Sequence, residues 1–65
     1  MTIETSRGTW NIYGINLAST DYIYQDIKTA IENGSASQAM LQRKTGYRAP
    51  IIVDFMHKTI NFRQF

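Results

Sequence analysis

Ile23, Ile27, Ala30 and Ile31 recur at helical spacing and commit the middle of this chain to one amphipathic helix. Gln25, Asp26, Lys28 and Glu32 point elsewhere on it. Ser19 or Thr20 is placed to cap the helix, with Asp21 in the first turn, where the helix dipole favours an anion. Asn33-Gly34 ends it, because glycine tolerates the left-handed conformation that closes a helix.

The remainder of the chain is short. With 65 residues the sequence reads as a single compact domain, 1–65. Such a domain buries only about 60% of the surface its unfolded chain exposes. Its net stability is then on the order of 3–5 kcal/mol. There are no cysteines, which excludes disulfides, thiolate metal sites and cysteine nucleophiles. No apolar run approaches the roughly 18–20 residues that span a bilayer. Met1 to Arg7 lacks the order of a signal peptide, so the expected setting is cytoplasmic, with no membrane partner. A homodimer would supplement so small a core.

Ahead of the helix lies a β-hairpin. Thr2 to Thr5 alternates, Ser6-Arg7-Gly8 offers a turn, and Thr9 to Tyr13 resumes with aromatic and β-branched residues. Trp10 and Ile12 share one face, Asn11 and Tyr13 the other, and Gly14 ends or bulges the strand. Behind the helix, Ser35-Ala36-Ser37-Gln38 has capping-box spacing and opens a second helix through Lys44, stopped by Gly46. Arg43 and Lys44 fall in its last turn, where cations complement the dipole.

The stretch from Pro50 to Thr59 reads two ways. Ile51-Ile52-Val53 prefers strand. Pro50 suits the first position of a helix, and Asp54 and Lys58 would then pair four residues apart. A hairpin turn at His57-Lys58 would lack the Asn-Gly chemistry that two-residue turns favour. The expectation is therefore a third helix, followed by a strand from Ile60 to Phe65 that pairs with the N-terminal hairpin. The expected fold class is α+β: a small single domain with an N-terminal β-hairpin, two or three short helices in a helix-turn-helix-like arrangement, and a C-terminal strand. Trp10, Ile12, Ile23, Ile27, Ala30, Ile31, Met40, Leu41, Ile52, Val53, Phe55 and Phe62 form its expected core.

Catalytic chemistry finds little to work with. His57 is the one histidine, and the serines at 6, 19, 35 and 37 sit at turns or caps. No nucleophile–base–orienter set emerges, so no enzyme and no cofactor is expected. Asp54 and His57 supply two ligands, too few for a metal site.

Charge placement is more informative. Residues 1–34 carry two basic groups (Arg7, Lys28) and four acidic ones (Glu4, Asp21, Asp26, Glu32), a balance of −2. Residues 35–65 carry five basic groups (Arg43, Lys44, Arg48, Lys58, Arg63) and one acid (Asp54), a balance of +4. Gln42, Arg43, Lys44, Tyr47 and Arg48 crowd the break after the second helix. Arginine and lysine neutralise phosphates and release counterions, while Gln and Arg make paired hydrogen bonds to base edges. These five are the expected nucleic-acid-binding residues, with double-stranded DNA as the partner.

Met40-Leu41-Gln42-Arg43-Lys44, Gly46-Tyr47, Arg48-Ala49 and Ile52-Val53-Asp54-Phe55-Met56 resemble the DNA-orienting winged-helix domain that ends FtsK-type chromosome translocases. The resemblance covers Tyr22 to about Ile60 and implies a three-helix winged fold that reads DNA through its third helix. Gly8-x-Trp10-x-x-Tyr13, Ile27-x-x-Ala30-x-x-x-Gly34 and Val53-Asp54-Phe55 also resemble WWE domains, which bind poly(ADP-ribose) in a half-barrel closed by one helix. That resemblance implies mostly strand from Ser35 onward.

Two functions follow as expectations. The first is a small non-enzymatic DNA-binding regulator or accessory protein of winged-helix type. The second is a compact inhibitor or adaptor that occupies a protein partner's surface, anchored on Tyr13, Tyr22 and Tyr24, with Tyr47 as a further candidate.

Overall fold

The structure, a computed structural model, describes residues 1–62. Its elements run β1 (Thr2–Thr5), β2 (Gly8–Tyr13), α1 (Tyr22–Asn33), α2 (Gln38–Thr45), β3 (Ile51–Asp54) and β4 (Thr59–Phe62). The strands form one mixed sheet in the order β1-β2-β4-β3. β1 and β2 are the expected hairpin, with Ile3 opposite Trp10. β4 enters beside β2 in parallel, Ile12 against Ile60, so the last described strand does pair with the N-terminal hairpin. The expected continuation of that strand through Arg63, Gln64 and Phe65 lies outside the described residues.

Alternation sorts the sheet into two faces. Ile3, Trp10, Ile12, Ile51, Ile60 and Phe62 are buried on one face, beneath the helices. The opposite face carries Thr2, Thr9, Asn11, Tyr13, Ile52 and Asn61, all exposed. α1 packs against β1 and α2 against β3. They contribute Ile27, Ala30, Ile31 and Leu41 to the core, and Ala36 fills the turn between them.

The caps are shifted from their expected places. Asp21 itself is the N-cap of α1, its Oδ1 accepting from the Ile23 N–H at 2.9 Å, so Ser19 and Thr20 precede the cap. Ser37, not Ser35, caps α2, its hydroxyl accepting from the Met40 N–H at 3.2 Å. Gly34 and Gly46 close the two helices in the left-handed conformation, as expected.

No helix follows Pro50. The run Ile51-Ile52-Val53 takes the strand its β-branched side chains favour, pairing with β4 so that Val53 faces Ile60. Pro50 sits just before an edge strand, where a missing N–H costs no ladder bond. The Ile51 N–H donates to Gln38 Oε1 at 3.0 Å, so α2 covers the start of that edge. The chain reverses through a four-residue loop, 55–58. Asp54 Oδ1 accepts from the His57 N–H at 3.0 Å, and Lys58 turns left-handed at φ 55°. Asp54 therefore partners His57, not Lys58. The loop needs no Asn-Gly because it is longer than two residues.

The core changes accordingly. Ile51 takes the buried position, while Ile52 is 47% and Phe55 41% exposed. Ile23, Met40 and Val53 pack at the core's margin. The helix-turn-helix across Gly46, and the third recognition helix implied by the translocase resemblance, are replaced by helix, turn and strand. The mostly-strand reading of the C-terminal half is interrupted by α2.

Candidate nucleic-acid interface

Four of the five expected nucleic-acid-binding residues meet at the end of α2. Gln42, Arg43, Gly46, Tyr47 and Arg48 line a cleft of about 510 Å³. Local chemistry sets its shape. The Thr45 hydroxyl donates to the Leu41 carbonyl at 2.7 Å and accepts from the Tyr47 N–H at 3.2 Å. The Gly46 N–H donates to the Gln42 carbonyl at 2.8 Å, and φ of 72° at Gly46 swings the chain back. The Gln42 Nε2 donates to the Ala49 carbonyl at 3.3 Å, pinning the returning segment to the helix.

Tyr47 anchors the far wall. Its hydroxyl donates to the Phe62 carbonyl at 3.2 Å, and the two rings meet edge to face with centroids 5.4 Å apart. The cleft is thus fastened to the sheet through β4. Side chains bound in this way lose little further freedom when a ligand arrives, which preserves affinity.

The fifth residue goes elsewhere. Adjacent helical positions diverge by about 100°, and Lys44 turns toward α1, its Nζ 3.7 Å from Asp26 Oδ2. Arg43 and Arg48 are exposed and have no ion-pair partner among the described residues. Among the described residues no carboxylate lines the cleft. The negative end of the α2 dipole also lies here. It is offset by Arg43 and Lys44 in the last turn, and the Leu41 and Gln42 carbonyls already accept hydrogen bonds. The result is a concave surface with two guanidinium groups that have no carboxylate partner among the described residues, one aromatic ring and one amide.

Gly46 is a lining residue that sequence reasoning used only as a helix stop. A Cβ there would meet nothing within 4 Å, so the backbone itself forms open cleft surface. Its position between Lys44 and Arg48, inside the basic cluster, was the available signal.

The tyrosines expected as protein anchors do not share a face. Tyr13 ends β2 on the open sheet face, and Tyr22 begins α1 in the helix layer, 72% exposed. Tyr24 packs against the core. His57 and Asp54 form an exposed pair, Nδ1 to Oδ2 at 2.7 Å. The His57 partner holds the Asp54 carboxyl below the usual aspartate value, chiefly by hydrogen bonding. Among the described residues no group of three His, Cys, Asp or Glu side chains gathers to hold a metal, and no helix is long and apolar enough to cross a membrane.

Comparison of the chain with protein-family models, with curated proteins and with solved structures finds no match in any of the three.

Proposed function

We propose that this chain is a small non-enzymatic DNA-binding protein, an accessory or regulatory factor, that contacts its ligand through the cleft at the end of α2. The observation that carries this reading is the convergence of Arg43 and Arg48 on one concave surface with Tyr47 and Gln42, with no carboxylate among the described residues that line it. Guanidinium groups bind phosphate bidentately and are weakly hydrated, so two of them with no ion-pair partner among the described residues are suited to an anionic backbone. The amide and the ring supply hydrogen bonding and apolar contact to a base. Duplex reading through a helix after Pro50 is not part of the proposal, because that segment is β3.

Fluorescence anisotropy of labelled DNA oligonucleotides over a series of salt concentrations tests it. Binding is expected at low salt, weakening as salt rises, and lost when Arg43→Ala and Arg48→Ala are combined. Absence of binding at low salt, or indifference to the double substitution, would refute it.

A second reading, a protein-binding adaptor or inhibitor, draws support from the open sheet face. There the register aligns exposed Tyr13 and Ile52 on either side of Asn61. Retention of a protein from lysate after nuclease treatment, abolished by Tyr13→Ser with Ile52→Ser, would favour it over DNA binding.

A further inference from the structure

We propose that the cleft captures one unstacked nucleotide of a single strand, its phosphate met by Arg43 and Arg48 and its base set against Tyr47. This deepens the DNA-binding reading and rests on it.

Shape gives the first argument. Proteins that read intact duplex insert a convex element, a helix or a two-stranded ribbon, into the major groove. Here Arg43 and Arg48 line a hollow. A hollow cannot enter a groove; it receives a projecting group. Within a duplex the bases are stacked and paired, so a projecting nucleotide comes from a single strand or an extruded base. The β3–β4 loop, 55–58, does project, but from the other end of β3 and β4. It carries one lysine, and its Phe55 is docked edge to face on Trp10 at 5.1 Å.

Size and lining give the second. A cleft of about 510 Å³ lies within the range of roughly 300–1,000 Å³ typical of small-ligand sites, suited to one nucleotide and too small for a helix turn of duplex. Tyr47 lines the cleft with its hydroxyl donated to Phe62 and its ring held edge to face on the Phe62 ring. The Gln42 amide is likewise half committed. Its Nε2 donates to Ala49, and its Oε1, with no partner among the described residues, is left to accept from a base N–H. Ring surface plus an amide acceptor is the chemistry of an unpaired base; two guanidiniums are the chemistry of its phosphate.

Single-stranded DNA and single-stranded RNA share this chemistry and differ in the 2′-hydroxyl, so both are probes. Anisotropy titrations at low salt would compare oligo(dT), oligo(U) of equal length, and a duplex of equal length. At least one single strand is expected to bind about tenfold or more tightly than the duplex. That preference should vanish in the Arg43→Gln, Arg48→Gln double variant and persist in Lys44→Gln, whose side chain faces Asp26 on α1 and not the cleft. Thymidine monophosphate added to the unaltered protein should shift the backbone amide resonances of Gln42 to Arg48, a readout that needs no variant. Arginine-dependent duplex binding equal to or tighter than single-strand binding would overturn nucleotide capture while leaving the DNA-binding reading intact. Thymidine monophosphate that leaves those resonances unmoved would also overturn it. Failure of all three polymers to bind would remove both.

Discussion

The Tyr47 hydroxyl donates to the Phe62 carbonyl at 3.2 Å while the two rings pack edge to face, so one side chain joins the cleft wall to the sheet. Tyr47→Phe removes the hydrogen bond and keeps the ring, and should cost about 1 kcal/mol. Tyr47→Ala also removes a half-buried ring and should cost about 2–4 kcal/mol, less than truncation of a fully buried aromatic. Thermal melts followed by circular dichroism distinguish the two. Equal melting temperatures for both variants and the parent would show that the ring is not docked.

Two glycines with similar dihedral angles should respond very differently to substitution. Gly14 has φ of 94°, and a Cβ there would collide with the Phe62 carbonyl, backbone that cannot swing aside. Gly46 has φ of 72° and open space around it. Gly46→Ala should therefore cost about 1–2 kcal/mol, the left-handed penalty alone. Gly14→Ala adds a steric clash and should exceed that penalty, enough to unfold a domain of about 3–5 kcal/mol. Urea titrations of both variants check the order; a Gly14→Ala protein as stable as Gly46→Ala would contradict the close approach.

The strand assignment after Pro50 makes neighbouring isoleucines unequal. Ile51 is 4% exposed and Ile52 47% exposed on opposite faces of β3. Ile51→Ala should cost about 2–5 kcal/mol. Ile52→Lys should change stability by about 0.5 kcal/mol or less, as surface substitutions do. Reversal of that order would mean the strand register is shifted by one residue.

That same segment shows where sequence reasoning stops. The hairpin, both helices and β4 beside β2 are legible because each has a local signature. These are alternation in Thr9 to Tyr13, the spacing of Ile23, Ile27 and Ile31, and glycines at 34 and 46. β3 carried conflicting signals, β-branched propensity against a helix-compatible Pro50. The conflict was resolved by contacts distant in sequence, Gln38 with Ile51 and Ile60 with Val53. The cleft was legible in composition, since Gln42, Arg43, Tyr47 and Arg48 were near one another in the chain. That Lys44 would leave it for Asp26 was not, because the packing of α2 on α1 decides which cation faces which way.

The diversion of Lys44 gives an internal control for the cleft. Its pairing with Asp26 is exposed on both sides, 45% and 37%, so Lys44→Ala should alter stability by about 0–1 kcal/mol. It should also leave DNA affinity and its salt dependence nearly unchanged. Arg43→Ala and Arg48→Ala should each flatten the plot of log affinity against log salt by about 0.7 for a single strand, the value of one phosphate contact. A Lys44→Ala slope that falls as far as the arginine variants would mean the contact surface extends over α1 rather than ending at the cleft.

The Asp54–His57 pair sets the last expectation, a pH dependence of the β3–β4 loop. The Asp54 carboxyl titrates below the ordinary aspartate value because His57 hydrogen-bonds to it. A carboxyl with a depressed folded-state value adds stability that is present above its unfolded value and lost as pH falls through the folded one. The parent and Asp54→Asn proteins should therefore differ in melting temperature near neutrality. That difference should shrink once pH drops below about 4, where the unfolded aspartate takes up its proton. Because the pair is exposed the effect is small, and the amide proton of His57, which donates to Asp54 Oδ1, is the sharper reporter. Its chemical shift should follow the Asp54 titration, and a His57 amide indifferent to pH from neutrality down to about 2 would mean that the loop does not use this carboxylate to hold its turn.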